Sequence, residues 1–314
     1  MTAFILKIIA SVCMLLDHIW AVFTSSTPLY FTWIGRIAFP IYAYMIAQGC
    51  KHTNNINKYL LRLGIFALIS EIPFDIAFMH YYTMDDTLNL GINFLRNTNV
   101  FYTLFLGVAC ISVYEKLKVK KRPELALISI VIIPFIFVGN VLPESFPVST
   151  TEFAAIVTGL YTAAILCFVH FLPGIENENR EPHNFLSFLA ALPLLLTASM
   201  FASDYGAFGV ALIFVLYLAK PEDKVRRTVV LAAGVIYHYG LDLFTSYSYY
   251  VDDVRVTSTM LNQSNLMSLL FAFIAVILIF LYNGKQGPKV KWAFYAFYPT
   301  HISALAIIWY LFAR

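Results

Sequence analysis

Apolar stretches long enough to cross a bilayer recur along most of this chain, separated by short polar connections. Eleven can be drawn: 3–23, 29–50, 58–79, 99–117, 125–143, 150–172, 186–202, 204–219, 228–247, 264–282 and 292–313. A transmembrane helix needs about 20 mostly apolar residues. The stretches 186–202 and 204–219 are short and nearly abut, so the count is ten or eleven. No internal repeat is visible, and no connection is long enough for a soluble domain. The pattern predicts an all-α polytopic membrane protein, one helical bundle in a single domain over 1–314.

Composition sharpens that picture. Hydrophobic residues make up 60% of the 314 positions and charged residues only 12%, far from the soluble average. The 28 Phe and 20 Tyr suit lipid contact and interfacial belts. The first stretch is too long for a cleaved signal peptide, and no convincing small-residue cleavage site follows it. Cys13, Cys50, Cys110 and Cys167 lie in or beside apolar segments, as buried thiols do, and their spacing suggests neither disulfides nor a metal site.

Charge sets an orientation. With the N-terminus inside, fifteen Lys and Arg fall in the inner connections, notably Lys116–Arg122 and Lys220–Arg227, against three outside: Arg96, Arg255 and Arg314. That asymmetry predicts a cytoplasmic N-terminus. Lys7, Arg36 and Arg62 remain within spans.

Ionisable groups inside spans are costly and mark candidate sites. Lys7 and His18 are eleven residues apart in the first span, so a helix returns them to nearly one face with a rise of about 16 Å. His18, Arg36, Glu71, Asp75, His238 and Asp242 all fall at outer-half depths, with Tyr298 and His301 near mid-membrane. Pro40, Pro73 and Pro299 lie close by in sequence or depth, where a kink can widen a cavity. Each residue has a plainer reading: a snorkelling lysine, satisfied core histidines, a Glu71–Arg36 ion pair. Together they predict a wet pocket. The basic loops suit an anionic, phosphate-bearing ligand or merely the positive-inside rule.

Five runs then carry a resemblance: MLLDHI at 14–19, GRIAFPIYAYMIAQG at 35–49, SEIPFDIAF at 70–78, NVFYTLFLG at 99–107 and FYPTHISAL at 297–305. In this order they resemble the TraX family, named for a conjugative protein that N-acetylates the amino terminus of F-type pilin. That family is similar in turn to multi-helix acyltransferases that acetylate envelope glycans and lysosomal heparan sulfate. In those enzymes a basic residue precedes a first-helix histidine by the spacing of Lys7 and His18. The histidine is catalytic base or acyl acceptor, and acyl-CoA binds from the cytoplasm. This chain has Lys at the position where the glycan-modifying members carry Arg, a point charge in place of a bidentate fork.

The resemblance implies a membrane acyltransferase in a bacterial cytoplasmic membrane, moving an acetyl or other acyl group from acyl-CoA to an extracytoplasmic amine or hydroxyl. Such acceptors include a peptide amine, a sugar or a lipid head group. His18 is its expected catalytic group. Asp17 points about 100° away from His18 on the helix, so the partner that orients the imidazole is expected on another helix, as Asp242 or Glu71. Arg36 is expected to stabilise developing charge. Lys7, Lys120, Lys121, Arg122, Arg226 and Arg227 are expected at the CoA phosphates. Asp17, Asp75, His238, Tyr298 and His301 are expected to line the acceptor pocket. No metal is expected. A transporter or flippase for a charged or lipid-linked solute would use the same buried charges, and a non-catalytic scaffold would not need them.

Overall fold

A computed structural model describes residues 1–23, 26–82, 97–120, 184–240, 243–251 and 254–312. The described helices are α1 (Ala3–Val22), α2 (Tyr30–Gly35), α3 (Ala38–His52), α4 (Ile56–Tyr82), α5 (Val100–Lys120), α6 (Asn184–Met200), α7 (Gly206–Leu218), α8 (Lys224–Gly240), α9 (Gln263–Phe280) and α10 (Lys291–Phe312). One antiparallel hairpin, β1 (Phe244–Val251) with β2 (Val254–Leu261), joins α8 to α9. The fold class is that of an all-α membrane protein. Among the described residues three helical stretches are long and apolar enough to cross a membrane: Ala3–Val22, Val100–Leu117 and Gln263–Phe280. The expected spans 125–143 and 150–172 lie outside the described residues.

The chain divides into two compact units. The first comprises Met1–Gln48, Pro73–Asp86 and Leu218–Arg314; the second comprises Gly49–Ile72 and Thr87–Tyr217. In the first unit α1 packs against α2 and α10, α2 against α9, and α8 against α9. The α1 N-terminus is capped by Thr2, whose hydroxyl accepts from the Ile5 N–H. Leu6, Ala10, Cys13 and Met14 face inward, while Ile5, Ile8 and Val12 are exposed. A helix apolar on both its packed and its exposed face is what a lipid-facing helix requires.

The stretch 29–50, expected as one helix, is broken. Arg36 and Ile37 donate their backbone N–H groups to Trp33 and Ile34, three residues back, and α3 starts afresh at Ala38. Pro40 supplies the reason: it has no N–H for the Arg36 carbonyl four residues earlier, and its ring crowds that carbonyl. Just before the break, Gly35 lies against α1. A Cβ there would fall 2.4 Å from the Asp17 Cβ, so only glycine permits this approach.

The stretch 228–247 also overran. Its helix stops at Gly240, and Phe244–Val251, dense in aromatic and hydroxyl residues, pairs as a strand from Phe244↔Leu261 to Val251↔Val254. Asn262 closes the hairpin with its N–H on the Leu243 carbonyl and caps α9 with its side chain, which accepts from Asn265.

At one end of the first unit, polar groups converge on the Tyr44 hydroxyl. It accepts from Gln48 Nε2 at 2.9 Å and from Arg227 Nη1 at 2.9 Å, and donates to the Pro221 carbonyl at 3.1 Å. Arg227 is 4% exposed. Its Nη2 reaches the Ile279 and Tyr282 carbonyls at the C-terminal end of α9, where the helix dipole is negative. Both tyrosine rings lie 5.4 Å from the guanidinium. The N-terminus sits at the same end, with Met1 donating to Leu281 and Ala3 to Lys285.

In the second unit α5 packs against α6. Asn99 begins α5: its side-chain oxygen accepts from Phe101, and its amide donates to Ala67 and Glu71 of α4.

Gly35→Ala is expected to lower the melting temperature in detergent, with a cost of about 1–3 kcal/mol from overpacking. An unchanged melting temperature would show that α1 and α2 are not in the contact described.

Candidate active site

His18 lies in the last turns of α1 and His301 near the middle of α10, neighbouring helices of the first unit. His18 is 9% exposed and His301 7%. The His18 Nδ1 and His301 Nε2 atoms are 2.7 Å apart, and His301 Nδ1 is 2.7 Å from the Phe297 carbonyl oxygen. The ring planes are 13° apart with centroids 4.9 Å apart. The two imidazoles therefore meet edge to edge and nearly coplanar, with the acceptor lone pair directed along the bond.

Hydrogen-bond accounting fixes both tautomers. A carbonyl only accepts, so His301 Nδ1 carries the proton and donates to Phe297. In the neutral ring, His301 Nε2 is then the acceptor, and His18 Nδ1–H is its donor. That leaves His18 Nε2 with a lone pair and no hydrogen bond among the described residues. This is the form of histidine that can accept a proton.

Aromatic side chains hold the pair in place. Phe78 and Tyr298 stand edge-on to His18, at 5.3 and 5.7 Å. Tyr298 also stands edge-on to His301, while Phe297 stacks on it at 4.6 Å. Tyr298 is 2% exposed. Pro299 removes a backbone donor two residues before His301, and the Ser303 hydroxyl donates to the Pro299 carbonyl at 2.7 Å.

The neighbouring helix face carries an ion pair. Arg36 Nη2 donates to Asp17 Oδ1 at 2.9 Å and to the Thr32 hydroxyl, while Arg36 Nε donates to the Thr32 carbonyl at 3.1 Å. Asp17 and Arg36 are both partly buried. Arg36 thus pairs with Asp17.

The remaining expected residues fall as follows. Glu71, fully buried in the second unit, accepts from the Asn99 backbone N–H at 3.2 Å and from the Asn99 amide at the start of α5. Asp75 is half-buried on the α4 segment of the first unit, and His238 lies half-buried in the last turn of α8 beside Tyr239. Lys7 Nζ lies 5.6 Å from the Phe294 ring centroid. Arg226 is exposed and pairs with Asp223 at 3.3 Å, whereas Arg227 is enclosed, not on an open basic surface. Lys120 is the last residue of α5. Lys121, Arg122 and Asp242 lie outside the described residues. The hydrogen-bond partner of the His18 ring among the described residues is His301. Among the described residues, no group of three or more His, Cys, Asp or Glu could hold a metal ion.

The family model described as TraX protein matches residues 3–142 and 148–309. The chain belongs to the TraX family. Both histidines of the pair lie inside the matched regions of this TraX chain. It is also similar to a relative from Dichelobacter nodosus, "Probable fimbrial assembly protein FimC, serogroup H1". The two are 26% identical over 313 residues, which cover 97% of this chain and 94% of the relative. No solved structure matches the chain.

The Asp17–Arg36 contact is measurable by a double-mutant cycle. Asp17→Asn and Arg36→Gln are each expected to lower stability, and their combined effect to fall short of the sum by about 1 kcal/mol. Strict additivity would show that the pair is not coupled.

Proposed function

We propose that this TraX protein is a multi-pass acyltransferase of the cytoplasmic membrane, formed by one domain over 1–314 with its N-terminus in the cytoplasm. It takes an acetyl or other acyl group from cytoplasmic acyl-CoA and transfers it to an amine or hydroxyl at the extracytoplasmic side. The observation that carries this reading is His18, buried in α1 with Nδ1 engaged and Nε2 left with its lone pair. The printed name of the Dichelobacter relative extends the reading to the acceptor: a fimbrial subunit, with its amine, is the first to try.

In this scheme His18 Nε2 removes the proton from the acceptor N–H or O–H as that atom attacks the thioester carbonyl. The tetrahedral intermediate collapses with cleavage of the C–S bond, and the departing thiolate takes the proton back from Nε2. Arg36, partly neutralised by Asp17, supplies positive potential near the developing oxyanion. Lys7, one face of α1 and about 16 Å of rise from His18, is suited to a CoA phosphate at the cytoplasmic end. Arg226, Lys120, Lys121 and Arg122 add charge at the expected cytoplasmic connections. Arg227 contributes there by holding the end of α9, since its guanidinium is committed to carbonyls. Asp75, His238 and Tyr298 remain the proposed surroundings of the acceptor; Glu71, expected beside His18, instead braces α4 on α5.

The test is transfer of radiolabel from acetyl-CoA to the fimbrial subunit, or to an envelope fraction, by protein reconstituted in liposomes. His18→Ala is expected to lose about 10²–10⁴-fold in rate in a protein that still unfolds cooperatively, its melting temperature lowered by loss of the buried hydrogen bond to His301. Transfer that survives in a folded His18→Ala protein would overturn the assignment of the base.

A further inference from the structure

We propose that His301 is the positioning residue of this site. It holds His18 in the tautomer that leaves Nε2 free, and it shares the positive charge that forms when Nε2 takes up a proton. The proposal rests on the acyl-transfer reading and assigns a role that reading does not require, because a base needs only a lone pair.

The hydrogen-bond chain starts at the Phe297 carbonyl. That oxygen cannot donate, so the 2.7 Å contact commits the His301 proton to Nδ1 and turns Nε2 toward His18 as an acceptor. His18 must then carry its proton on Nδ1. A backbone carbonyl in α10 therefore selects the reactive nitrogen of a side chain in α1, through one intervening ring. Rotation of either imidazole is blocked by Phe78 and Tyr298 standing edge-on and by Phe297 stacked on His301.

The same geometry answers the charge that appears in the reaction. When Nε2 gains a proton, His18 becomes an imidazolium and its Nδ1–H···Nε2 bond to His301 becomes charge-assisted. Transfer of that Nδ1 proton to His301 Nε2 breaks one N–H bond and forms another. It moves the charge onto His301, whose Nδ1–H already donates to Phe297. No carboxylate bonds to either ring among the described residues. Asp17 is turned to Arg36. A neutral ring thus does what a carboxylate does in a serine-hydrolase triad, without a second buried charge in the resting site.

The experiment compares His301→Leu with His301→Gln in the full-length reconstituted protein. Leucine fills the space but neither accepts from His18 nor donates to Phe297; glutamine can do both. His301→Leu is expected to lower kcat by about 10²–10⁴-fold, with KM for acetyl-CoA little changed. His301→Gln is expected to recover activity to within about tenfold of wild type. A second readout does not depend on activity. With ¹⁵N-histidine labelling, His18 of the wild type is expected to show a protonated Nδ1 and a bare Nε2, lost in the Leu variant and retained in the Gln variant. Wild-type kcat in a folded Leu variant, or a protonated Nε2 on neutral His18 in the wild type, would overturn the proposal. If the wild type transfers no acyl group, the acyl-transfer reading falls, and the NMR comparison decides the positioning role by itself.

Discussion

The His18–His301 hydrogen bond depends on a constraint that governs every polar group in this structure: away from water, a donor or acceptor must find a partner within the protein. The apolar helices satisfy their own backbones, so the cost falls on the few polar side chains between them. Several of these are met by identifiable partners. Tyr44 gathers Gln48, Arg227 and Pro221; Asn99 joins Glu71 and Ala67; Arg36 answers Asp17. In these clusters the hydrogen bonds join helices. In the histidine pair they do more, because the chain of donors ends at a nitrogen that nothing in the described structure occupies.

The position of that chain matters chemically. A carboxylate beside His18 would bury an anion and need a counter-ion, whereas a second imidazole is neutral at rest and accepts charge only when a proton arrives. The Asp17–Arg36 pair lies on the neighbouring face of α1, with its own charges largely balanced. Gly35 permits the close approach of α2 that brings Arg36 there, and Pro40 ends the helical ladder immediately beyond it. Local backbone chemistry thus sets the electrostatics of the site.

Much of this was legible along the chain. Every described helix falls in or overlaps an apolar stretch, although 29–50 holds two helices, and the span-borne charges of the first helix singled out His18. The helical angle between neighbours directs Asp17 away from the His18 ring, and Asp17 bonds Arg36. What was hidden followed from distance and burial. His18 and His301 are 283 positions apart, and no local pattern joins them, although both had been read at similar depths. Arg227 looked like part of a basic loop because sequence alone cannot see two carbonyls and two tyrosine rings closing around it. The α2–α3 break was announced by Pro40 but masked by continuous hydrophobicity. The hairpin was masked in the same way by an apolar run that reads equally as helix or strand.

The central claim is that this site works on an acyl-CoA, and donor binding tests it most directly. The measurement is the melting temperature of the purified protein in detergent against acetyl-CoA concentration. A ligand that binds only the folded state raises the melting temperature progressively as its concentration passes its Kd. The account predicts a saturable rise that is weakened by Lys7→Ala or by removal of the CoA phosphates and persists in His18→Ala, where binding remains and chemistry does not. No rise at millimolar acetyl-CoA would contradict it.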